Sequence, residues 1–152
     1  MEPIKIVLVL GLDNEIKPLK DFLESQDELP CTIKVINPQE GAAEAHAFGH
    51  AEGGVTILTL DQTVALVREA LGEDGILLLN WKFDYCDFDG IHIEARLGYY
   101  PKTISVSRVY GSLNTPFCFQ SKMYLSNSKN PNKDEIAARE SLLGTIREVL
   151  AL

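Results

Sequence analysis

Residues 4–11, IKIVLVLG, decide the fold. Apart from Lys5 the run is apolar at successive positions, which is what a strand needs when it is covered on both faces. It has no basic flank and no small-residue cleavage site, so it reads as a first strand rather than a signal peptide. Downstream, Ile16, Leu19, Phe22 and Leu23 form the apolar stripe of a helix, with Pro18 confining its start. TIKVIN (32–37) is a second strand. Asn37-Pro38-Gln39-Glu40 then predicts a helix start, with Asn as cap, Pro in the first helical position and Glu three residues after the cap. GVTILTL (54–60) reads as a third strand. Asp61 caps a helix carrying Val64, Val67 and Leu71 and stopped by Gly72, and GILLLNW (75–81) is a fourth strand. Alternation of strand and helix implies a parallel sheet with helical crossovers.

The pattern changes after residue 81. IHIEARL (91–97) alternates strictly, Ile91, Ile93, Ala95 and Leu97 against His92, Glu94 and Arg96, and so predicts a half-buried strand. Gly98-Tyr99-Tyr100-Pro101 reads as a turn into TISVSRVY (103–110), and CFQSKMYL (118–125) as a further strand. The last helix is capped near Asn132, with Glu135 three residues on and a stripe of Ile136, Leu143, Ile146 and Leu150. The expected architecture is one α/β domain over residues 1–152. Its sheet is mainly parallel and flanked by helices, Rossmann-like or flavodoxin-like in the first half, with antiparallel strand additions and a C-terminal helix.

Composition narrows the function classes. No apolar run reaches the roughly eighteen residues of a membrane helix. Cys31, Cys86 and Cys118 are odd in number and far apart, which argues against a disulfide framework and a cysteine-based zinc finger. With no N-x-[ST] sequon, an intracellular, cytoplasmic protein is expected. The net charge of −8 disfavours duplex nucleic acid, which demands many phosphate contacts. Yet residues 95–133 contain no Asp or Glu and carry Arg96, Lys102, Arg108, Lys122, Lys129 and Lys133. Such a segment is either a solvated face or a surface that attracts a small anion or an acidic partner. Tyr99 and Tyr100 beside Lys102 add stacking surface and bring nucleotide-like ligands into consideration, whereas Tyr110 and Phe119 sit at strand positions that favour packing.

In open parallel sheets, ligands bind beyond the carboxyl ends of the strands. Asp13, Asn37, Asp61 and Asn80 end the four strands as read, and Asn80 is the one with no helix to cap. HAFGHAEGG (46–54) supplies a second candidate. On a helix beginning at Pro38, His46 and His50 fall one turn apart, opposite Glu40 and Glu44, a spacing that can share a metal. A third ligand would come from Asp84, Asp87, Asp89, His92 or Glu94. Ala47 stands where an H-E-x-x-H enzyme has its glutamate, so that general base is missing. The plainer reading of the pair is two structural or surface histidines on an ordinary helix. Phosphate-loop, dinucleotide and nucleophile-elbow signatures are absent.

KIVLVLGLDNEIKPLKDFLES (5–25), followed by a segment ending in Asp61, resembles the opening of a response-regulator receiver domain. The resemblance covers about residues 4–61 and implies that Asp13 holds a metal ion and Asp61 accepts phosphate. The chain departs from that plan where Asn14 replaces a paired acid, where no Met-Pro follows Asp61, and throughout the part after residue 80. A degenerate receiver-like or flavodoxin-like regulatory fold therefore ranks above a phosphorylatable receiver.

The leading expectation is a non-enzymatic binding or regulatory domain for a small anionic ligand, nucleotides included, or for an acidic protein surface. Asp13 and Asn80 would orient the ligand, and Lys82, Arg96, Lys102 and Arg108 would supply charge. The alternative is a hydrolase of a phosphorylated substrate in which His46, His50 and Asp84 or Asp87 hold the metal. A scaffold acting through an exposed surface, as a homo-oligomer or a subunit, is the third class; no membrane partner is expected.

Overall fold

The computed structural model describes residues 2–11, 13–40, 57–83, 85–98, 102–107, 113–120 and 129–152. Its elements in chain order are β1 (Ile4–Val9), α1 (Asp13–Glu24), β2 (Cys31–Ile36), α2 (Leu60–Leu71), β3 (Ile76–Asn80), α3 (Gly90–Leu97), β4 (Thr103–Ser107), β5 (Cys118–Gln120) and α4 (Lys133–Leu150). The five strands form one sheet in the order β2-β1-β3-β4-β5, and every pairing is parallel. The order reverses between β1 and β3, because the chain leaves β1 toward one edge and β3 toward the other.

Strand residues divide by parity between two cores. Ile6, Leu8 and Leu10 of the β1 region, with Ile76, Leu78, Ile104 and Val106, face α1 and α4. Val7 and Val9, with Ile36, Leu77 and Leu79, face α2 and α3. This is why β1 and β3 read as unbroken apolar runs: each is covered on both sides. The α1 stripe is buried as expected, at Ile16, Leu19, Phe22 and Leu23. Pro18, however, lies inside α1 and not at its start, for the helix already runs from Asp13.

Three expectations are corrected. IHIEARL is helix α3, not a strand. In eight residues both periods fit the letters, but the buried positions are Gly90, Ile93, Glu94 and Leu97, spaced by three and four, while Ile91 is exposed. That helix supplies the crossover that a parallel β3–β4 pair requires, so among the described residues no strand is antiparallel: β4 and β5 continue the parallel sheet. Finally, of the strand expected over 54–60, residues 57–59 belong to no strand and Leu60 opens α2, while 54–56 lie outside the described residues. The cap of α2 is Thr59, in a reciprocal box with Gln62, and Asp61 stands in the first turn. The fourth strand expected from the sequence is thus the third among the described residues.

The remaining helix ends follow the sequence. Gly72 closes α2 by donating its N–H to the Arg68 carbonyl. Asn132 caps α4 by accepting from Glu135 N at 2.9 Å. On α4 the fully buried positions are Leu142, Ile146 and Val149, with Leu143 and Leu150 half-buried beside them and Ile136 exposed. No described helix is long and apolar enough to cross a membrane.

Candidate functional site

The carboxyl ends of β1 and β3 meet at the order reversal, where a doubly wound sheet opens a crevice between diverging connections. In this chain the crevice is closed by a side chain. Gln39 comes from the turn after β2 and is 3% exposed. Its Nε2 donates to the Gly11 carbonyl at 2.8 Å and its Oε1 accepts from Tyr85 N at 3.2 Å. One carboxamide therefore ties the segments that follow β1, β2 and β3. Phe83 is buried beside it and packs edge-on against Phe88 at a centroid distance of 6.0 Å.

The local geometry explains how Gln39 reaches this place. Asn37 Oδ1 accepts from Gln39 N at 3.1 Å, the cap-like bond expected of Asn before Pro, and Glu40 N returns to Asn37 O at 3.4 Å. Pro38 fixes the first turn residue and its carbonyl accepts from Leu58 N at 2.9 Å. Whether a helix continues from this turn falls in residues 41–56, outside the described residues. On the β3 side, Gly90 N donates to Trp81 O at 2.9 Å and seats the start of α3 on the end of the central strand. The buried indole nitrogen of Trp81 has no hydrogen-bond partner among the described residues.

Beside this closed centre lies an open groove of about 500 Å³ between α1 and the end of β2. Ile16 and Val35 give it apolar surface, and Lys17, Lys20, Asp21, Asn37 and Glu40 line it. Lys20 also faces Glu24 at 3.5 Å across an exposed helix turn, a contact that water weakens.

The residues anticipated from sequence are only partly brought together. Asn80 ends β3 at the order reversal, and exposed Lys82 follows it. Asp13 opens α1 just beyond β1, at the same edge of the sheet. Lys102 is at the other edge: its carbonyl accepts from Leu77 N at the amino end of β4, about 13 Å along the strands from Asn80. Arg96 ion-pairs with Asp61, and its carbonyl accepts from Arg68, so it clips α3 to α2. Asp61 sits in a helix and not at a strand end, which removes the position that the receiver resemblance required; the third of the described strands ends in Asn80. Arg108, His46, His50 and Asp84 lie outside the described residues. Asp87 is exposed in the loop before α3.

Among the described residues, no three His, Cys, Asp or Glu side chains converge to hold a metal. Two of the candidate third ligands, His92 and Glu94, have other partners. His92 Nδ1 accepts from Asp89 N at 3.0 Å at the start of α3, and both oxygens of the buried Glu94 accept from Asn114 N at 3.0 Å. Phe119 is core, as its strand position suggested.

Burial, then the charges of Asp87 and Asp89, push the Cys86 thiol up to about 11. Burial also raises Cys31, whose Sγ donates to Leu29 O at 3.1 Å, while Cys118 is exposed on β5. At pH 8 Cys86 is therefore held as the thiol, and the thiolate is the nucleophile. Iodoacetamide at that pH is expected to label Cys118 first and Cys86 last, as read by peptide mass spectrometry; early labelling of Cys86 would contradict its environment.

Gln39, Gly11 and Gly90 were not singled out from sequence. Gln39 meets partners 28 and 46 residues away, and no local pattern announces such contacts. Comparison with protein-family models, with curated proteins and with solved structures finds no match to this chain.

Proposed function

We propose that this chain is a non-enzymatic, flavodoxin-like binding domain that takes a small anionic ligand, nucleotides included, at the carboxyl edge of its sheet. The observation that carries the reading is the groove of about 500 Å³ between α1 and β2, within the size range of small-molecule sites. Lys17 and Lys20 offer cations over the apolar surface of Ile16 and Val35. Asp21 and Glu40 on the same wall disfavour a bare anion and favour one that also carries hydroxyl or amino donors, as a nucleotide does. This moves the expected charge from Lys102 and Arg96 to Lys17 and Lys20.

Calorimetric titration with AMP, ADP and inorganic phosphate at low and moderate salt tests the reading. Nucleotide affinity should fall with salt and drop roughly tenfold in Lys17→Ala/Lys20→Ala, because two partly screened cations contribute on the order of 0.5–1 kcal/mol each. Lys102→Ala, at the opposite edge, should bind like wild type. Absence of binding, or binding indifferent to salt and to both lysines, would sink it.

A further inference from the structure

The place where a doubly wound sheet ordinarily receives its ligand is occupied from within. A carbonyl accepts only from a donor and an amide N–H requires an acceptor, so Gly11 O and Tyr85 N fix which way the Gln39 carboxamide points. The backbone thus presents a paired acceptor and donor, walled by the buried Phe83 ring. Gly11 keeps that floor open: a Cβ there would stand 2.6 Å from Gln39 Nε2 and 3.2 Å from Phe83 Cδ1.

We propose that the junction of β1 and β3 is a recognition site for a carboxamide or lactam edge, closed in this state by the protein's own Gln39. A ligand with N–H beside C=O, a nucleobase edge among them, takes Gly11 O and Tyr85 N when the turn at 38–40 lifts Gln39 away. Amide then replaces amide, and neither backbone group is left buried without a partner. This site is separate from the α1–β2 groove and shares with it only the turn that bears Asn37 and Glu40.

The test empties the site and refills it. Gln39→Ala and Gln39→Ser are melted with acetamide, with N,N-dimethylacetamide, which accepts but does not donate, and with acetate. At about 200 mM, acetamide should raise the Tm of Gln39→Ala by roughly 2–4 °C relative to its effect on wild type, and the other two probes should not. If Gln39→Ala does not fold alone, cooperative melting regained with acetamide is the same positive result, and the smaller vacancy in Gln39→Ser gives the shift directly. Equal responses of variant and wild type, or N,N-dimethylacetamide matching acetamide, would overturn the proposal. Loss of nucleotide binding in Lys17→Ala/Lys20→Ala leaves these outcomes untouched, so the two readings fail separately.

Discussion

Gln39→Glu is expected to melt about 10 °C below wild type at pH 7 and to recover most of that difference near pH 4. The substitution keeps the shape of the side chain and the acceptor that serves Tyr85 N, but removes the donor to the Gly11 carbonyl. Ionised, it sets a carboxylate against a carbonyl oxygen at a position 3% exposed, where the groups among the described residues that bond the side chain are backbone atoms of Gly11 and Tyr85 and neither is a cation. An uncompensated buried charge of this kind costs about 3–5 kcal/mol. Protonated, the carboxyl regains an O–H that donates to Gly11 O. The folded protein therefore holds the proton more tightly than the unfolded chain, and the pKa of the introduced group rises above the unfolded value of about 4.3. A raised pKa contributes stability that is present below the unfolded value and is lost as pH rises through the folded one. The quantity to measure is the Tm difference between variant and wild type across pH 4–8, which cancels the native carboxylates common to both. A difference that does not change with pH would show that the side chain at position 39 is not held out of water against the Gly11 carbonyl.

The parts of the fold that were legible are those written in local pattern. Ile6 to Leu10 and Ile76 to Leu79 carry no alternation because both faces are covered, so strands and parallel pairing follow together. Gly72 and Asn132 mark helix ends because their signals act within four residues. IHIEARL misleads because eight residues hold little more than two helical turns; Ile93 and Leu97 satisfy period 3.6 and period 2 alike. Once that helix is taken for a strand, β3 and β4 lose their crossover, and antiparallel pairing becomes the natural but wrong conclusion. Of the site, the carboxyl edge was legible from topology and Asn80 from its place at a strand end. What closes that edge was not. Gln39 is, by its letters, one polar residue in a turn, and only the sheet order brings Gly11 and Tyr85 to it.

Gly90→Ala should be among the most damaging single-methyl additions in the chain, costing on the order of 3–5 kcal/mol, or about 10 °C in Tm. The added Cβ would stand 2.0 Å from the Asn80 carbonyl oxygen, 3.0 Å from its carbon and 3.1 Å from the Trp81 oxygen. All three are backbone atoms at the end of β3, the central strand, which is held on one side by β1 and on the other by β4. A flexible side chain could swing aside, but this strand end cannot move without breaking its ladder, so relief must come from α3. Lifting α3 breaks the bond from Gly90 N to Trp81 O and loosens the loop that carries Phe83 and Tyr85 to Gln39. The damage should therefore appear at a second place: Tyr85 N–H, protected in wild type by Gln39 Oε1, should exchange with deuterium markedly faster. Gly144→Ala is the matched control, an added methyl inside α4 that meets nothing within 4 Å and should stabilise by up to about 1 kcal/mol through helix propensity. Equal melting of the two variants would show that α3 is not seated on the end of β3. A low Tm for Gly90→Ala with unchanged Tyr85 exchange would separate the seating of α3 from the closure of the crevice, two features that the shared loop otherwise binds into one.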